Sequence, residues 1–170
     1  MKKIINAFDY ASDICNAMKK GILLTTAADG KVNTMTIGWG FIGVEWGKPI
    51  FVALVRESRH THEMLSANAE FTVNIPYGEV DGRILGFCGT KSGRDVDKVR
   101  ELGLHLEDSM NCSVPGIREL PLTLECKVIY RQDQDLSAIP APLLEKYYPQ
   151  GETRHTAYYG EIVGAYLITE

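Results

Sequence analysis

Residues 21–39 read GILLTTAADGKVNTMTIGW, and this stretch contains two runs rich in apolar and β-branched residues. Between the two runs stands Asp29-Gly30, a pair that favours the tight turn of a two-residue β-hairpin because both residues tolerate a positive φ. The stretch therefore predicts an antiparallel hairpin whose strands flank residues 29 and 30.

The rest of the chain also favours β-strands, and these strands are joined by short helices. Further strands are predicted in PIFVALVR, in FTVNIP, over residues 120–131, where apolar and polar residues alternate, and in YYGEIVGAYLIT, with bulges at Gly160 and Gly164. Helices are predicted over residues 9–20 with Asp9 as the cap, in SRHTHEMLSANAE, over 80–102 with a glycine-rich break, and in PLLEKYY.

Five or more antiparallel strands with only short helices between them indicate a mainly β protein with α insertions. We expect these strands to form a closed β-barrel. A Rossmann fold is disfavoured because it needs long helices between strands and a G-x-G-x-x-G motif, which the sequence lacks.

Length and composition predict one soluble globular domain over residues 1–170. Hydrophobic residues make up 45% of the chain and charged residues 24%. The net charge of −4 argues against a nucleic-acid partner, which would require a dominant basic face. No run approaches the roughly 18 apolar residues of a membrane span, and MKKIINAFDY is too short for a signal peptide. We therefore expect a cytoplasmic protein without a membrane partner.

The familiar catalytic and metal-binding motifs are missing from the sequence. The four cysteines, at positions 15, 88, 112 and 126, form no C-x-x-C pair, so we expect free thiols. His60 and His62 stand two apart, which places them on different faces of a helix, and no metal site is expected there. Without a nucleophile motif either, the chemistry is expected to come from an organic cofactor.

Residues 88–98, CGTKSGRDVDK, form a glycine-rich basic loop that has two interpretations. Lys91, Arg94 and Lys98 could surround an anion, with Gly89 and Gly93 letting the backbone approach it. Alternatively, Asp95 caps a surface helix and the basic side chains are solvated. The G-x-x-x-x-G-K-[ST] consensus is not matched, which argues against a nucleotide triphosphatase.

A second basic segment, RESRHTHEML at residues 56–65, lies where a predicted strand gives way to a helix. Such a junction offers free backbone N–H groups and the positive end of a helix, which favour a phosphate. The alternative is a capped helix with exposed arginines.

Taken in order, these segments resemble the flavin reductase-like family, which folds as an FMN-binding split β-barrel, over roughly residues 21–168. The N-x-M-T-x-x-W pattern is matched by Asn33, Met35, Thr36 and Trp39; R-x-S-x-x-T by Arg56, Ser58 and Thr61; the Val-Asn strand end by Asn74; and SG-x-x-x-DK by Ser92, Gly93, Asp97 and Lys98. His155 resembles the histidine that precedes the family's closing strand, although here Thr156 interrupts the apolar run. The sequence CGTKSG is similar to that of the flavoredoxin-type branch of the family.

The resemblance implies an FMN site built from these motifs. Arg56, Ser58 and Thr61 would hold the phosphate, the strand over residues 33–39 and Asn74 would line the flavin, and Lys98 would contribute from its own motif. The loop from Gly89 to Gly93 would approach the flavin, with Lys91 and Ser92 donating to it. Cys88 could lie near the flavin or only pack in the core. The family is dimeric with FMN near the subunit interface, so a homodimer is expected.

The function implied is an NAD(P)H-dependent flavin reductase. NADH or NADPH would give a hydride to bound FMN, which would pass electrons to a small-molecule or redox-protein acceptor, and His155 is the candidate catalytic residue. Two alternatives stay open: a flavoredoxin-type electron carrier without its own NAD(P)H activity, and a binding or scaffold barrel that holds no flavin.

Overall fold

The computed structural model describes residues 1–169, which form ten strands and five α-helices. The strands are β1 (Lys2–Ile4), β2 (Ile22–Ala28), β3 (Lys31–Ile37), β4 (Gly40–Glu45), β5 (Lys48–Arg56), β6 (Glu70–Ile75), β7 (Leu106–Glu107), β8 (Gly116–Ile117), β9 (Leu122–Asp133) and β10 (His155–Ile168). The helices are α1 (Ala11–Met18), α2 (His60–Ala67), α3 (Gly82–Thr90), α4 (Lys98–Leu102) and α5 (Ala141–Tyr147). Two short 3₁₀ helices, Ala7–Tyr10 and Leu136–Ala138, complete the secondary structure of these residues.

Eight strands form one antiparallel sheet in the order β3-β2-β6-β9-β10-β5-β4, with β1 added alongside β10. Within residues 1–169, the two end strands β3 and β4 do not pair with each other, so the sheet is open. The split barrel that the resemblance implies is thus confirmed, and the closed barrel expected from the strand pattern is wrong. Helices α3 and α4 contact β3, and the side chain of Lys98 donates to the carbonyl of Thr34. The free edge of β3 is thus covered by helices where a closed barrel would have a neighbouring strand.

The hairpin predicted at residues 21–39 is confirmed. β2 and β3 pair from Ile22↔Ile37 to Ala28↔Lys31, and the turn residues Asp29 and Gly30 have φ values of 51° and 72°. Both values are positive, as a type I′ turn requires. The hairpin presents β3 at the edge of the sheet, next to α2 and α4.

The long strand β10 binds the two halves of the sheet together. It pairs with β9 on one side and β5 on the other, and its register with β9 shifts between Tyr159 and Gly160 and between Ile162 and Gly164. These shifts confirm the predicted bulges. A Cβ at Gly160 would stand 2.5 Å from the ring of Phe71 on β6, so only glycine leaves room for that ring beside β10.

Two predicted helix caps are wrong by a few residues. Asp9 lies inside the first 3₁₀ helix, whose N-cap is Asn6, with its side chain accepting from the N–H of Phe8 at 3.1 Å. In the glycine-rich region, Asp97 and not Asp95 caps α4, accepting from the N–H of Arg100 at 3.0 Å. The cap signal of an aspartate is short-range, and neighbouring Asn and Asp residues carry the same signal.

The four cysteines are free thiols, of which Cys88 and Cys126 are buried. Within residues 1–169, no helix is long and apolar enough to cross a bilayer.

Candidate functional site

A cavity of about 140 Å³ lies between β3, the start of α2 and the loop over residues 91–97. We call it the basic cavity. Nine of the thirteen residues expected to bind the cofactor line it: Asn33, Met35, Ser58, Thr61, Gly89, Lys91, Ser92, Gly93 and Lys98. Segments that are 60 residues apart in sequence are therefore brought together because helices pack against β3.

Charge distinguishes this cavity from the rest of the surface. Four cationic side chains line it, and no carboxylate is among its lining residues; the cations are Arg59, Lys91, Arg94 and Lys98. The whole chain has a net charge of −4. Positive charge is thus concentrated at one concave place, where a low-dielectric wall strengthens its attraction for an anion.

Lys98 forms the buried floor of the basic cavity. Only 4% of the residue is exposed, and its Nζ donates to the carbonyls of Thr34 at 2.9 Å and Cys88 at 3.0 Å. Burial, together with the positive charge of Arg59, lowers the pKa of the Lys98 ammonium. An ammonium has three N–H groups, so Lys98 can give a further hydrogen bond to a ligand.

The start of α2 forms one wall of the cavity. Its N-cap residue Arg59 makes no side-chain cap hydrogen bond, and the first amides of a helix, here of His60 and Thr61, have no intrahelical acceptor. Thr61 is buried, and its Oγ1 accepts from the side-chain amide of Asn33 at 3.2 Å. Free amides and the positive end of the helix dipole favour a negatively charged group here.

The loop over residues 91–97 closes the opposite wall. Arg94 donates to the carbonyl of Ser58 at 3.0 Å and forms an ion pair with Glu63 of α2. A Cβ at Gly93 would stand 2.2 Å from Oδ1 of Asn33, so the loop lies directly on β3. The hydrogen bonds from Arg94 and His60 hold the pKa of the Glu63 carboxyl below its usual value.

Cys88 also lines the basic cavity, with little exposure. Burial raises the pKa of its thiol to about 11, although the charge of Lys98 acts in the opposite direction. At neutral pH the sulfur is therefore an uncharged thiol, which is a weak nucleophile.

The other four expected residues lie outside the cavity lining. Thr36 donates to the carbonyl of Leu85 at 2.7 Å, under Gly89. Asn74 is fully buried in the sheet, where its Nδ2 donates to Thr25 at 2.9 Å and its Oδ1 accepts from the N–H of Ile117 at 2.8 Å. Trp39 and Arg56 belong to a second group of side chains.

This second group, which we call the aromatic cluster, consists of Trp39, Tyr147, Tyr148 and His155 with Arg56 beside them. The indole of Trp39 contacts the rings of Tyr147 and His155, at centroid distances of 5.2 and 4.8 Å. The guanidinium of Arg56 donates to the carbonyls of Thr153 at 2.8 Å and Tyr147 at 2.9 Å, pairs with Glu152 at 3.1 Å and lies over the Tyr148 ring. Arg56 thus fastens the connection between β9 and β10 over this cluster.

His155 is the titratable member of the aromatic cluster. The Tyr148 hydroxyl donates to Gln134 at 2.7 Å and lies 2.8 Å from Nδ1 of His155, so Nδ1 carries the proton and Nε2 is an acceptor. Burial, followed by the charges of Arg56 and Arg59, lowers the pKa of His155 to about 4. The imidazole is therefore neutral at pH 7.

Arg59 links the basic cavity and the aromatic cluster electrostatically. It lines the cavity, and its positive charge contributes to the lowered pKa of both Lys98 and His155.

Sequence reasoning did not assign His60, Tyr147 or Tyr148 to the site. His60 occupies an unspecified position of the R-x-S-x-x-T motif, and the two tyrosines lie in a segment that carries none of the family motifs. Only the fold brings that segment over β10, so no local sequence signal could have identified them.

Comparison with known proteins agrees with this architecture. Residues 16–170 match the flavin reductase like domain. An uncharacterized protein of Archaeoglobus fulgidus is 31% identical over 99 residues, 58% of this chain and 55% of that protein. The chain spans 55% and 62% of the lengths of two curated relatives that it matches, the Archaeoglobus protein and one from Pyrococcus abyssi.

Two solved structures show the same fold. A flavoredoxin from Methanosarcina acetivorans superposes with a TM-score of 0.65 and 29% identity, covering 87% of this chain and 68% of the other. An NADH:FAD oxidoreductase from Streptomyces globisporus gives a TM-score of 0.64 at 17% identity, covering 87% and 75%. With nearly its whole length matched by the family and its split barrel shared with these structures, the chain belongs to the flavin reductase-like family.

Proposed function

We propose that the protein binds FMN and acts as an NAD(P)H-dependent flavin reductase. The observation that carries the proposal is the basic cavity, which has four cations, free helix amides and no carboxylate in its lining. A monoester phosphate is the anion that such a combination of amides, guanidinium and ammonium groups recognises best.

The residues present fit FMN in two parts. The phosphate would lie in the basic cavity, held by the α2 amides, Arg59 and Lys98. The cavity volume of about 140 Å³ is below the range of about 300–1,000 Å³ that is typical of small-molecule sites, so the flavin ring must lie beyond it. β3 contains Asn33 and Met35 and is followed by Trp39, which is 37% exposed and whose indole can provide a flat apolar wall.

When bound, the flavin supplies the electron-accepting centre of the reaction. The chain's own residues bind and orient it, and the neutral His155 offers Nε2 as a hydrogen-bond acceptor beside Trp39. Hydride transfer from a nicotinamide needs close stacking on the flavin and no side-chain acid or base. The weakly nucleophilic thiol of Cys88 fits a site that binds its ligand without a covalent bond.

Anaerobic mixing separates the reductase from its nearest rival. We expect FMN-loaded protein to bleach within seconds when NADH or NADPH is added at sub-millimolar concentration. If neither nucleotide bleaches the flavin while dithionite or reduced ferredoxin does, the protein is a flavoredoxin-type carrier, the function favoured by its similarity to the Methanosarcina flavoredoxin. Protein that takes up no FMN in a titration would instead support the flavin-free barrel. The acceptor that reoxidises the flavin would be a small molecule or a redox protein.

An exposed aromatic face supports the homodimer. Phe41, Val52, Tyr159 and Tyr130 stand side by side across four strands, from β4 through β5 and β10 to β9. Phe41 is 55% exposed, and the ring of Trp46 lies 5.9 Å from that of Tyr130. Phe41, Trp46 and Tyr130 are thus exposed aromatic residues around the buried Val52, and an exposed aromatic patch of this kind marks an interface.

We propose that a second copy of the chain covers this face. The same face continues through Leu54 and Ala157 to Trp39 and His155, so the dimer would bring the aromatic cluster next to the interface. Light scattering should give about twice the 18.9 kDa of the chain. Phe41→Glu should shift this mass to the monomer, whereas Phe8→Glu, at an exposed phenylalanine elsewhere, should not. A wild-type monomer that holds FMN would contradict the placement.

A further inference from the structure

The loop over residues 91–97 is only weakly anchored by its own side chains. None of its residues is buried, and the backbone N–H groups of Asp95 and Val96 donate to the carbonyl of Ser92 within the loop itself. Segments with few buried side chains open at a low cost in free energy. The contacts that tie this loop to the rest of the basic cavity therefore decide how readily the cavity opens.

Arg94 ties the loop to the opposite wall of the basic cavity. Within residues 1–169, its side chain makes every hydrogen bond between the loop and residues 56–67, donating to the carbonyl of Ser58 at 3.0 Å and to the carboxylate of Glu63. Ser58 and Arg94 both line the cavity, so this contact joins two of its walls. Glu63 is not among the lining residues, so it acts on the cavity only through Arg94.

Glu63 belongs to a network and not to an isolated ion pair. Its second carboxylate oxygen accepts from Nδ1 of His60 at 3.0 Å. The ring of His60 packs on the loop as well, because a Cβ at Gly93 would stand 3.1 Å from it. An exposed ion pair contributes little by itself, whereas charges joined in a network hold two segments together more firmly.

We propose that Arg94, Glu63 and His60 form a latch that controls how fast FMN enters and leaves the basic cavity. The proposal rests on the proposed function, since it takes the FMN phosphate to lie between the start of α2 and the loop. With the latch closed, the phosphate is enclosed between two joined walls. Exchange then requires Arg94 to leave Glu63 and the loop to move off α2.

The latch has a consequence for how the protein uses its flavin. Slow exchange keeps FMN as a resident group that is reduced and reoxidised in place. Fast exchange would instead make the flavin a substrate that is released after each reduction. Glu63 is a positioning residue in this scheme, because it reaches the phosphate only through Arg94.

Glu63→Gln tests the latch, because it removes the carboxylate charge and keeps the size of the side chain. Glu101→Gln is the control, since it removes the same charge from an exposed side chain of α4, next to the loop but outside the latch. Stopped-flow flavin fluorescence measures the association rate of FMN. Displacement into an excess of a second FMN-binding apoprotein measures its dissociation rate.

A latch that must open for entry as well as for exit slows both rates. We therefore expect Glu63→Gln to raise the association and dissociation rates of FMN about fivefold each, and to change the affinity less than twofold. Glu101→Gln should leave both rates within about twofold of those of the wild type.

The other possible results overturn the latch. A rise in the dissociation rate alone would mean that Glu63 only supports contacts between Arg94 and the phosphate. Faster association with slower dissociation would mean that Glu63 is only a charge that repels the anion. If FMN binds and Glu63→Gln leaves both rates unchanged, the latch is wrong and the FMN site stands, whereas wild-type protein that binds no FMN would overturn both.

Discussion

Replacing Lys98 with methionine should lower the affinity of the protein for FMN roughly tenfold to more than a hundredfold. This loss corresponds to the roughly 1.5–3 kcal/mol of a charge-assisted hydrogen bond. Riboflavin, which lacks the phosphate, should lose far less. The reason is the position of Nζ at the floor of the basic cavity, where burial keeps water from screening its charge. Flavin fluorescence titrations of both ligands measure the difference.

The pH profile gives a second measurement on the same variant. An anion binds the protonated ammonium, and the pKa of Lys98 is lowered in the protein by burial. The affinity of wild-type protein for FMN should therefore fall as the pH rises through that pKa, and Lys98→Met should flatten this fall.

Arg56→Ala is the control for the Lys98 experiment. Its guanidinium is bound to the connection between β9 and β10, so its loss should change FMN and riboflavin affinity to the same extent. Selective loss of FMN in Arg56→Ala, with none in Lys98→Met, would move the phosphate site out of the basic cavity.

Asn74→Ala should lower the free energy of unfolding by about 2–4 kcal/mol, because it leaves buried donors and acceptors unpaired and opens a small cavity. The N–H of Ile117 would lose its acceptor at 2.8 Å, and the hydroxyl of Thr25 would lose its amide donor. Urea unfolding measures the change. Asn68→Ala removes a half-buried amide that donates to the carbonyl of Ala27, and should cost about 0.5–1.5 kcal/mol.

Flavin affinity decides whether Asn74 also serves the site. Below the unfolding transition we expect Asn74→Ala to bind FMN and riboflavin as the wild type does, since the structure places Asn74 inside the sheet. Unchanged stability with weakened binding of both flavins would instead put Asn74 in contact with the ring.

Local features of the fold could be predicted from the sequence, because the residues that determine them are neighbours in the chain. Asp29-Gly30 sets the turn through its own backbone preferences, and Gly160 marks a bulge because the strand around it is otherwise apolar. The strand pattern alone could not predict that the barrel is open, although the family resemblance implies it. Whether the edge of β3 meets a strand or a helix depends on Lys98 and α3, which lie more than 40 residues further along the chain.

β9 shows the same limit at the level of burial. Its alternation predicts one buried and one open face, but the first five residues are buried on both sides. Glu125 belongs to the polar phase of this alternation. Its carboxylate accepts from the N–H groups of Met110 and Asn111 at 2.7 and 2.8 Å, in a loop that covers the strand. Alternation carries no information about a covering loop.

In the candidate site too, some residues could be predicted from the sequence and others could not. Residues at the start of α2 and in the glycine-rich loop line the basic cavity because a helix start and a glycine loop expose backbone amides wherever they occur. The side chains of Arg56 and Asn74 are directed by partners that the motif does not contain, namely the carbonyl of Thr153 and the amide of Ile117. Sequence alone could place these residues in an element but not beside a ligand.

The position of β10 between β5 and β9 has a consequence for how fast the protein folds. Arg56 and Thr153 meet although they are 97 residues apart, and every pair in the β5–β10 ladder closes a loop of comparable length. Chains dominated by such distant contacts fold on a timescale of about milliseconds to seconds, because the entropy of loop closure is lost before the contacts form. The residues that line the basic cavity lie within positions 33–98, whereas His155 reaches Trp39 only once β10 has docked. The aromatic cluster therefore depends on a more distant contact than any between the residues that line the basic cavity.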